Sequence, residues 1–236
     1  MNAPCQSDSV PKLSAVTLMP KPNPAVGIRS DAASTADTLL DTAEHLFATL
    51  GIDKVSMRRI AAECGHGNRS GALYHFGSRE ALIRALLERR MVVIDAIRNT
   101  RLDELAAAGR DRDLGAIIGC AVDVLADVVR QHAWGCDYVL VIAQALSSPR
   151  VQLLAKVDAN SVSGFTRMTG LVRQVLPDLS AQKFDARMQM VVHETLSAFA
   201  RWLDQHGKPT QRTRRSFNEM VNTVSEFMVA GLAAPG

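Results

Sequence analysis

An all-α fold follows from three features of this sequence. No proline lies between Ala25 and Ser148, and no segment alternates apolar and polar residues with the period of two expected of a half-buried strand. Apolar residues instead recur at helical spacing throughout the body. The chain has 236 residues, 47% of them hydrophobic and 22% charged, which is the composition of a folded globular protein with a sizeable core.

Taken in order, residues 1–34 are expected to be a flexible leader. They contain no aromatic residue, and five of the nine prolines (Pro4, Pro11, Pro20, Pro22, Pro24) fall within the first 24 positions. The first helix is expected over 35–50, where Leu39, Leu40, Ala43, Leu46, Phe47 and Leu50 share one face. Ser34 and Asp37 supply a capping-box-like start, and Gly51 supplies the stop. Short helices follow at 56–63 and 69–75, then a long one at 79–108. In the body, Leu114, Ile117, Ile118, Ala121, Val122, Leu125, Val128 and Val129 define a helix over 112–131, followed by another at 136–147. Ser148-Pro149 places an N-cap before a proline at the first helical position and opens a helix over 149–176. Leu176-Pro177-Asp178-Leu179-Ser180 ends that helix and caps the next. The last two helices, 181–206 and 211–232, carry the registers Phe184, Met188, Val191, Val192, Thr195, Phe199, Trp202, Leu203 and Phe217, Met220, Val221, Val224, Phe227, Met228. About nine helices are expected.

The net charge of +3 is small, but it is unevenly placed. Residues 1–53 are net −3 and residues 91–236 net +1. Residues 54–90 hold eight Lys/Arg against three Asp/Glu, net +5, and seven of the eight cations are arginine. The planar guanidinium fork suits phosphate oxygens and guanine edges. A solvated helix face is the plainer account of a charge bias, so the bias needs a motif beside it. Three short helices with arginines around them, followed by a long helix, suggest a helix-turn-helix. Ser56 caps its second helix, where Ile60 and Ala61 face inward, and Gly65 and Gly67 allow a tight turn. Asn68-Arg69-Ser70-Gly71-Ala72-Leu73-Tyr74-His75-Phe76 would then be the recognition helix in the major groove.

Ser56-Met-Arg-Arg-Ile-Ala-Ala-Glu-Cys-Gly65, Tyr74-His-Phe-Gly-Ser-Arg-Glu-Ala-Leu-Ile83 and the preceding Leu46-Phe-Ala-Thr-Leu-Gly51 resemble the DNA-binding domain of the tetracycline-repressor (TetR) family. The resemblance covers roughly residues 35–90. It departs from the common pattern in a turn one residue longer and in Leu73 where an aromatic is usual, and it resembles the subset ending Tyr-His-Phe-Gly-Ser. The resemblance implies that Ser56 and the amides behind it hold a phosphate. It implies that Arg58 or Arg59 reaches the DNA backbone or a guanine, and that Asn68, Arg69, Ser70 and Gly71 approach bases. Arg69 would pair with a guanine, Tyr74 and His75 would contact phosphates, and Arg79 would stand in for a phosphate-binding lysine. Phe76, Ile60, Leu46 and Phe47 would be core.

Enzymatic signals fail on inspection. Glu63 and His66 are separated by the helix-breaking Gly65, and His193-Glu194 lacks a second histidine because Ser197 stands in its place. No Gly-rich phosphate loop or nucleophile elbow appears, so no catalytic residue, metal or cofactor is expected. Cys5, Cys64, Cys120 and Cys136 show no Cys-x-x-Cys spacing. With no export signal and no membrane-length apolar run, a cytoplasmic protein is expected.

Residues 91–236 are expected to bind an effector and to dimerise. Trp134, Tyr138, Gln144, Phe165, Met168 and His193 are the candidate effector contacts, although each aromatic or methionine taken alone is better read as ordinary core. Met188 and Phe199 are read in the same way, and the polar residues Asp137, Asn160 and Arg167 on otherwise apolar helices are better hints. Helices 181–206 and 211–232 are the expected homodimer seam, a role the resemblance implies. The expected function is a transcriptional regulator that leaves a palindromic DNA operator when a small hydrophobic or aromatic effector binds, with helix 79–108 as the lever. A helical carrier or enzyme with a vestigial helix-turn-helix, or an activator of the same family, stands as the alternative.

Overall fold

The computed structural model describes residues 25–64, 76–147 and 162–235, with side chains from Ala36 onward in the first stretch. The described residues form eight α-helices and one 3-10 turn, with no strand. In chain order these are α1 (Ala25–Leu50), η1 (Ile52–Lys54), α2 (Met57–Glu63), α3 (Arg79–Ala107), α4 (Leu114–Gln131), α5 (Gly135–Ser147), α6 (Ser163–Val175), α7 (Ala181–His206) and α8 (Arg214–Ala233). The expected helix over 69–75 and the cap at Ser148-Pro149 lie outside the described residues.

α1 departs from expectation at its start. It is already helical at Ala25, so the helix includes residues 25–34 and Ser34 sits inside it instead of at its start. Ala25, Ala32 and Ala33, residues of the best helix-forming type, lie in this added stretch. The other punctuation falls where expected. Gly51 adopts a left-handed φ of 98° directly after α1, a conformation that favours glycine. The hydroxyls of Ser56, Ser78 and Ser180 accept from the amides of Arg59, Ala81 and Lys183 at the starts of α2, α3 and α7.

α4 is the axis of the C-terminal body, and α3, α5, α6 and α8 all pack around it. Its buried residues, among them Ile117, Val122, Val124, Ala126 and Val128, occupy most of its circumference, as they must when four neighbours share one helix. α5 is admitted close to the end of α4 by Gly135. A Cβ there would sit 2.1 Å from the Val128 carbonyl oxygen, closer than any side chain allows. α7 and α8 pack against each other through Phe199, Trp202 and Phe217, with Phe199 and Phe217 meeting edge-on at 5.8 Å. One register member turns outward: Phe227 is 66% exposed.

A buried carboxylate attaches α6 to α3. Asp95, 3% exposed, accepts from the Ser163 hydroxyl at 2.8 Å and from the amides of Gly164 at 2.8 Å and Phe165 at 3.0 Å. α6 has no side-chain cap of its own, so Asp95 supplies the cap from another helix. The Arg98 guanidinium, one turn along α3, donates to the same carboxylate at 3.1 Å. Replacement Asp95→Ala would strand both the helix amides and a buried guanidinium. A loss of about 3–5 kcal/mol is expected for breaking a buried pair from one side, read as a lower urea midpoint.

Candidate functional site

The expected DNA-contacting side of the protein is partly described. Ser56, Arg58 and Arg59 are exposed at the start of α2, while Ile60 and Ala61 are buried against α1 with Leu46 and Phe47. Phe76 packs on the same core. Asn68, Arg69, Ser70, Gly71, Tyr74 and His75 lie outside the described residues.

Arg79, expected to contact a phosphate, is bonded here to the protein's own backbone. Its Nε donates to the Val55 carbonyl at 3.1 Å and an Nη donates to the Ile52 carbonyl. Its guanidinium carbon stands 5.7 Å from the centre of the Phe47 ring. Two carbonyls left by a tight turn attract the planar fork more directly than solvent does, so the first residue of α3 holds η1 in place.

The same turn is gripped from the body. The Gln144 side-chain carbonyl on α5 accepts the Ile52 amide at 2.7 Å, and the Gln144 amide donates to the Phe47 carbonyl at 3.4 Å. Asp137, two turns earlier on α5, meets His45 of α1 at 3.1 Å. Ile52 is therefore bonded through its amide to α5 and through its carbonyl to α3. Between α1 and α3, Arg90 donates to Glu44 at 2.5–3.1 Å and to Asp41 at 2.9 Å. Arg90 also lies over Trp134, 4.5 Å from its ring centre.

A cavity of about 540 Å³ lies inside the C-terminal body, within the ordinary size of a small-molecule site. α3 contributes Met91, Ile94 and Arg98, α5 contributes Tyr138, Ile142 and Leu146, and α6 contributes Phe165 and Met168. Ala121 and Leu125 of α4 and Gln189, His193, Thr195 and Leu196 of α7 complete most of the wall. Of the six residues expected to touch an effector, Tyr138, Phe165, Met168 and His193 are gathered here. Trp134 and Gln144 are not. Trp134 faces the Arg90 guanidinium, and Gln144 lies on the side of α5 that faces η1, because residues two apart on a helix point in different directions. Arg167 is turned outward to Asp103 at 2.6 Å, and Asn160 lies outside the described residues.

Sequence reasoning missed Arg98 and Thr195. Both line the cavity, and both keep a buried polar atom, Arg98 Nε and Thr195 Oγ1, with no hydrogen-bond partner. Burial holds the Arg98 guanidinium below its ordinary value, opposed by the Asp95 charge beside it. Burial also raises Tyr138 and keeps its phenol neutral. An arginine one turn from an aspartate reads in sequence as a surface pair. Among the described residues no cluster of His, Cys, Asp and Glu is placed to hold a metal ion, and no helix is long and apolar enough to cross a membrane.

These features coincide with a known family. Residues 39–86 match the family model for bacterial regulatory proteins of the tetR family. Residues 98–231 match the tetracyclin repressor-like C-terminal domain. The second match alone spans more than half of the chain, and the protein belongs to the TetR family of transcriptional regulators. Similar solved structures include a tetR-family regulator from Shewanella sp. PV-4, with a TM-score of 0.61 at 17% identity over 85% of this chain and 99% of that one. The fatty acid degradation regulator FadR of Bacillus halodurans gives 0.60 at 15% identity over 85% and 97%. FadR of Bacillus subtilis, solved in complex with stearoyl-CoA, gives 0.56 at 17% identity over 82% and 97%. These likenesses show a shared fold. No curated protein matches the chain.

The junction makes a pH prediction. Burial raises the Glu44 carboxyl above its ordinary value, against the opposing pull of Arg90. The folded state then keeps a proton that the unfolded chain has already lost, so stability falls as pH rises from the ordinary glutamate range through the raised folded value. Glu44→Gln removes that titration. Melting temperatures measured from the acid side up to neutrality should therefore vary less steeply in the variant than in the natural protein.

Proposed function

We propose that the protein is a homodimeric, cytoplasmic DNA-binding repressor that releases its operator when an apolar small molecule enters the cavity. Family membership favours this regulator over a helical carrier, and the reading assigns no catalytic step. The observation that carries it is the double grip on Ile52. Arg79 and Gln144 reach one short turn beside α2 from α3 and α5, and those two helices also form much of the cavity wall. A ligand that prefers a different spacing of α3 and α5 would move η1, and with it α2. By linkage the operator weakens the ligand by the factor with which the ligand weakens the operator.

In this reading residues 35–90 bind DNA and residues 91–236 bind the effector and dimerise. Ser56, Arg58, Arg59, Tyr74 and His75 contact the backbone, and Asn68, Arg69, Ser70 and Gly71 read bases. Arg79 acts chiefly by positioning α2. The dimer forms through α7 and α8, where Met190 and Phe227 are 63% and 66% exposed and so are available to a second copy. The mostly apolar cavity wall suits an effector with a substantial hydrocarbon portion. The stearoyl-CoA bound by the Bacillus subtilis structure is one such molecule on a similar fold.

Selection from sheared genomic DNA at physiological salt tests the DNA-binding half. One palindromic site should be enriched, and Arg69→Ala should weaken that site by about 1–3 kcal/mol while leaving random duplex nearly unchanged. Equal losses on both would remove Arg69 as a base reader. For the cavity, Ile142→Trp should fill the space beside Tyr138 and abolish effector-induced release without lowering operator affinity. Release that persists in this variant would place the effector elsewhere.

A further inference from the structure

The cavity meets solvent along α7. Of the polar residues in its wall, Tyr138 and Thr195 are buried, and Arg98 is held by the Asp95 carboxylate at 3.1 Å. Gln189 and His193 differ from these. Gln189 is exposed and His193 half-buried, and a spacing of four residues sets them one above the other on one face of α7. Neither side chain makes a hydrogen bond or ion pair with another described residue. Met190, available to a second copy, points about 100° away from Gln189 around the helix, so the two face different neighbours.

Both rim side chains offer N–H donors, the Gln189 amide and, in either tautomer, the His193 imidazole. Arg98 and His193 are the basic side chains among the described residues of the wall, and no Asp or Glu lines it. Asp95 lies behind Arg98 and balances its charge. Asp185 and Glu194 flank the rim on α7, but both are exposed and outside the lining, where water and salt screen them. Arg187 is occupied by the carbonyls of Leu232, Ala234 and Pro235 at the end of α8. An ammonium head would therefore meet no carboxylate in the wall, whereas a carboxylate head at the rim would meet two donors. There it also keeps water on its remaining lone pairs. Pushed inward, the same charge would lie unmatched among Ile94, Leu125, Ile142 and Met168, at a far higher cost.

Resting on the effector-cavity reading above, we infer that the cavity takes an apolar carboxylate tail first, with its head at the mouth on Gln189 and His193, and that these two are specificity-determining residues. The apolar interior then receives the hydrocarbon, and the rim of α7 reads the charge.

The test uses the full-length protein and three probes that share one chain and differ in the head: octanoate, 1-octanol and octylamine. Their affinities are measured by calorimetry at neutral pH. Octanoate should bind about tenfold tighter than 1-octanol, because hydrogen bonds to an ionised acceptor are about twice as strong as neutral ones, and octylamine should bind least. Gln189→Met removes the amide at an exposed position where folding is not at stake, and His193→Leu removes the imidazole. Each should weaken octanoate by about threefold to tenfold while leaving 1-octanol within about twofold. 1-Octanol or octylamine as the tightest probe would overturn the carboxylate. Octanoate affinity unmoved by both variants would overturn the assignment of the mouth. Either result, with binding lost in Ile142→Trp, leaves the cavity as the effector site. If no probe binds to protein that still binds duplex DNA, or if binding survives Ile142→Trp, the cavity reading falls and this inference with it.

Discussion

The Asp95 carboxylate is the constraint on which the C-terminal body depends. A charge buried to this degree is tolerable only when fully hydrogen-bonded, and here the donors come from two helices far apart in sequence. Three belong to the first turn of α6, which lacks a cap of its own. The other two, Arg98 and the Asn99 side-chain amide, lie on α3 itself. The arrangement closes α6 over the cavity and places a guanidinium in its wall in a single step. The geometry of the cavity and its polarity thus have one origin.

From that cavity the connections run outward along helices and not through loops. α3 passes from Arg98 and Ile94 in the wall, by way of Arg90 against Glu44 and Trp134, to Arg79 on the Ile52 carbonyl. α5 shows one face to the cavity through Tyr138, Ile142 and Leu146, and another to α1 and η1 through Asp137 and Gln144. Packed helices shift as rigid elements, so a small change of spacing at the cavity is carried to the turn without being absorbed on the way. The buried Glu44–Arg90 pair adds a firm hinge of attachment. Its desolvation makes it a poor source of stability, but a mispaired arrangement of α1 and α3 would leave a charge unmatched.

Much of the protein was legible in the sequence where the physics is local. The register of Leu39 to Leu50 named the buried face of α1, the serines at 56 and 180 named their helix starts, and Gly51 named a stop. Tyr138, Phe165, Met168 and His193 reached the cavity because apolar helices bearing aromatic or polar exceptions tend to enclose something. The sequence says less where two helix faces compete. Gln144 and Trp134 sit among apolar neighbours like the others, yet they answer to a turn and an arginine nearly a hundred and some forty-four positions away. Sequence periodicity assigns a residue to a face and says nothing of what that face will meet.

The sequence by itself determined the class of the molecule: an all-α chain, a helix-turn-helix beside a concentration of arginine, and membership of a regulator family through motifs between residues 39 and 86. These are properties of short windows, set by helical period, capping chemistry and local charge. Only the tertiary structure decided that Arg79 turns inward to two carbonyls, that Asp95 caps a helix across the core, and that Arg98 and Thr195 line a common cavity. Each joins groups separated by 24 positions or more, and a buried polar group takes whichever partner folding brings within reach.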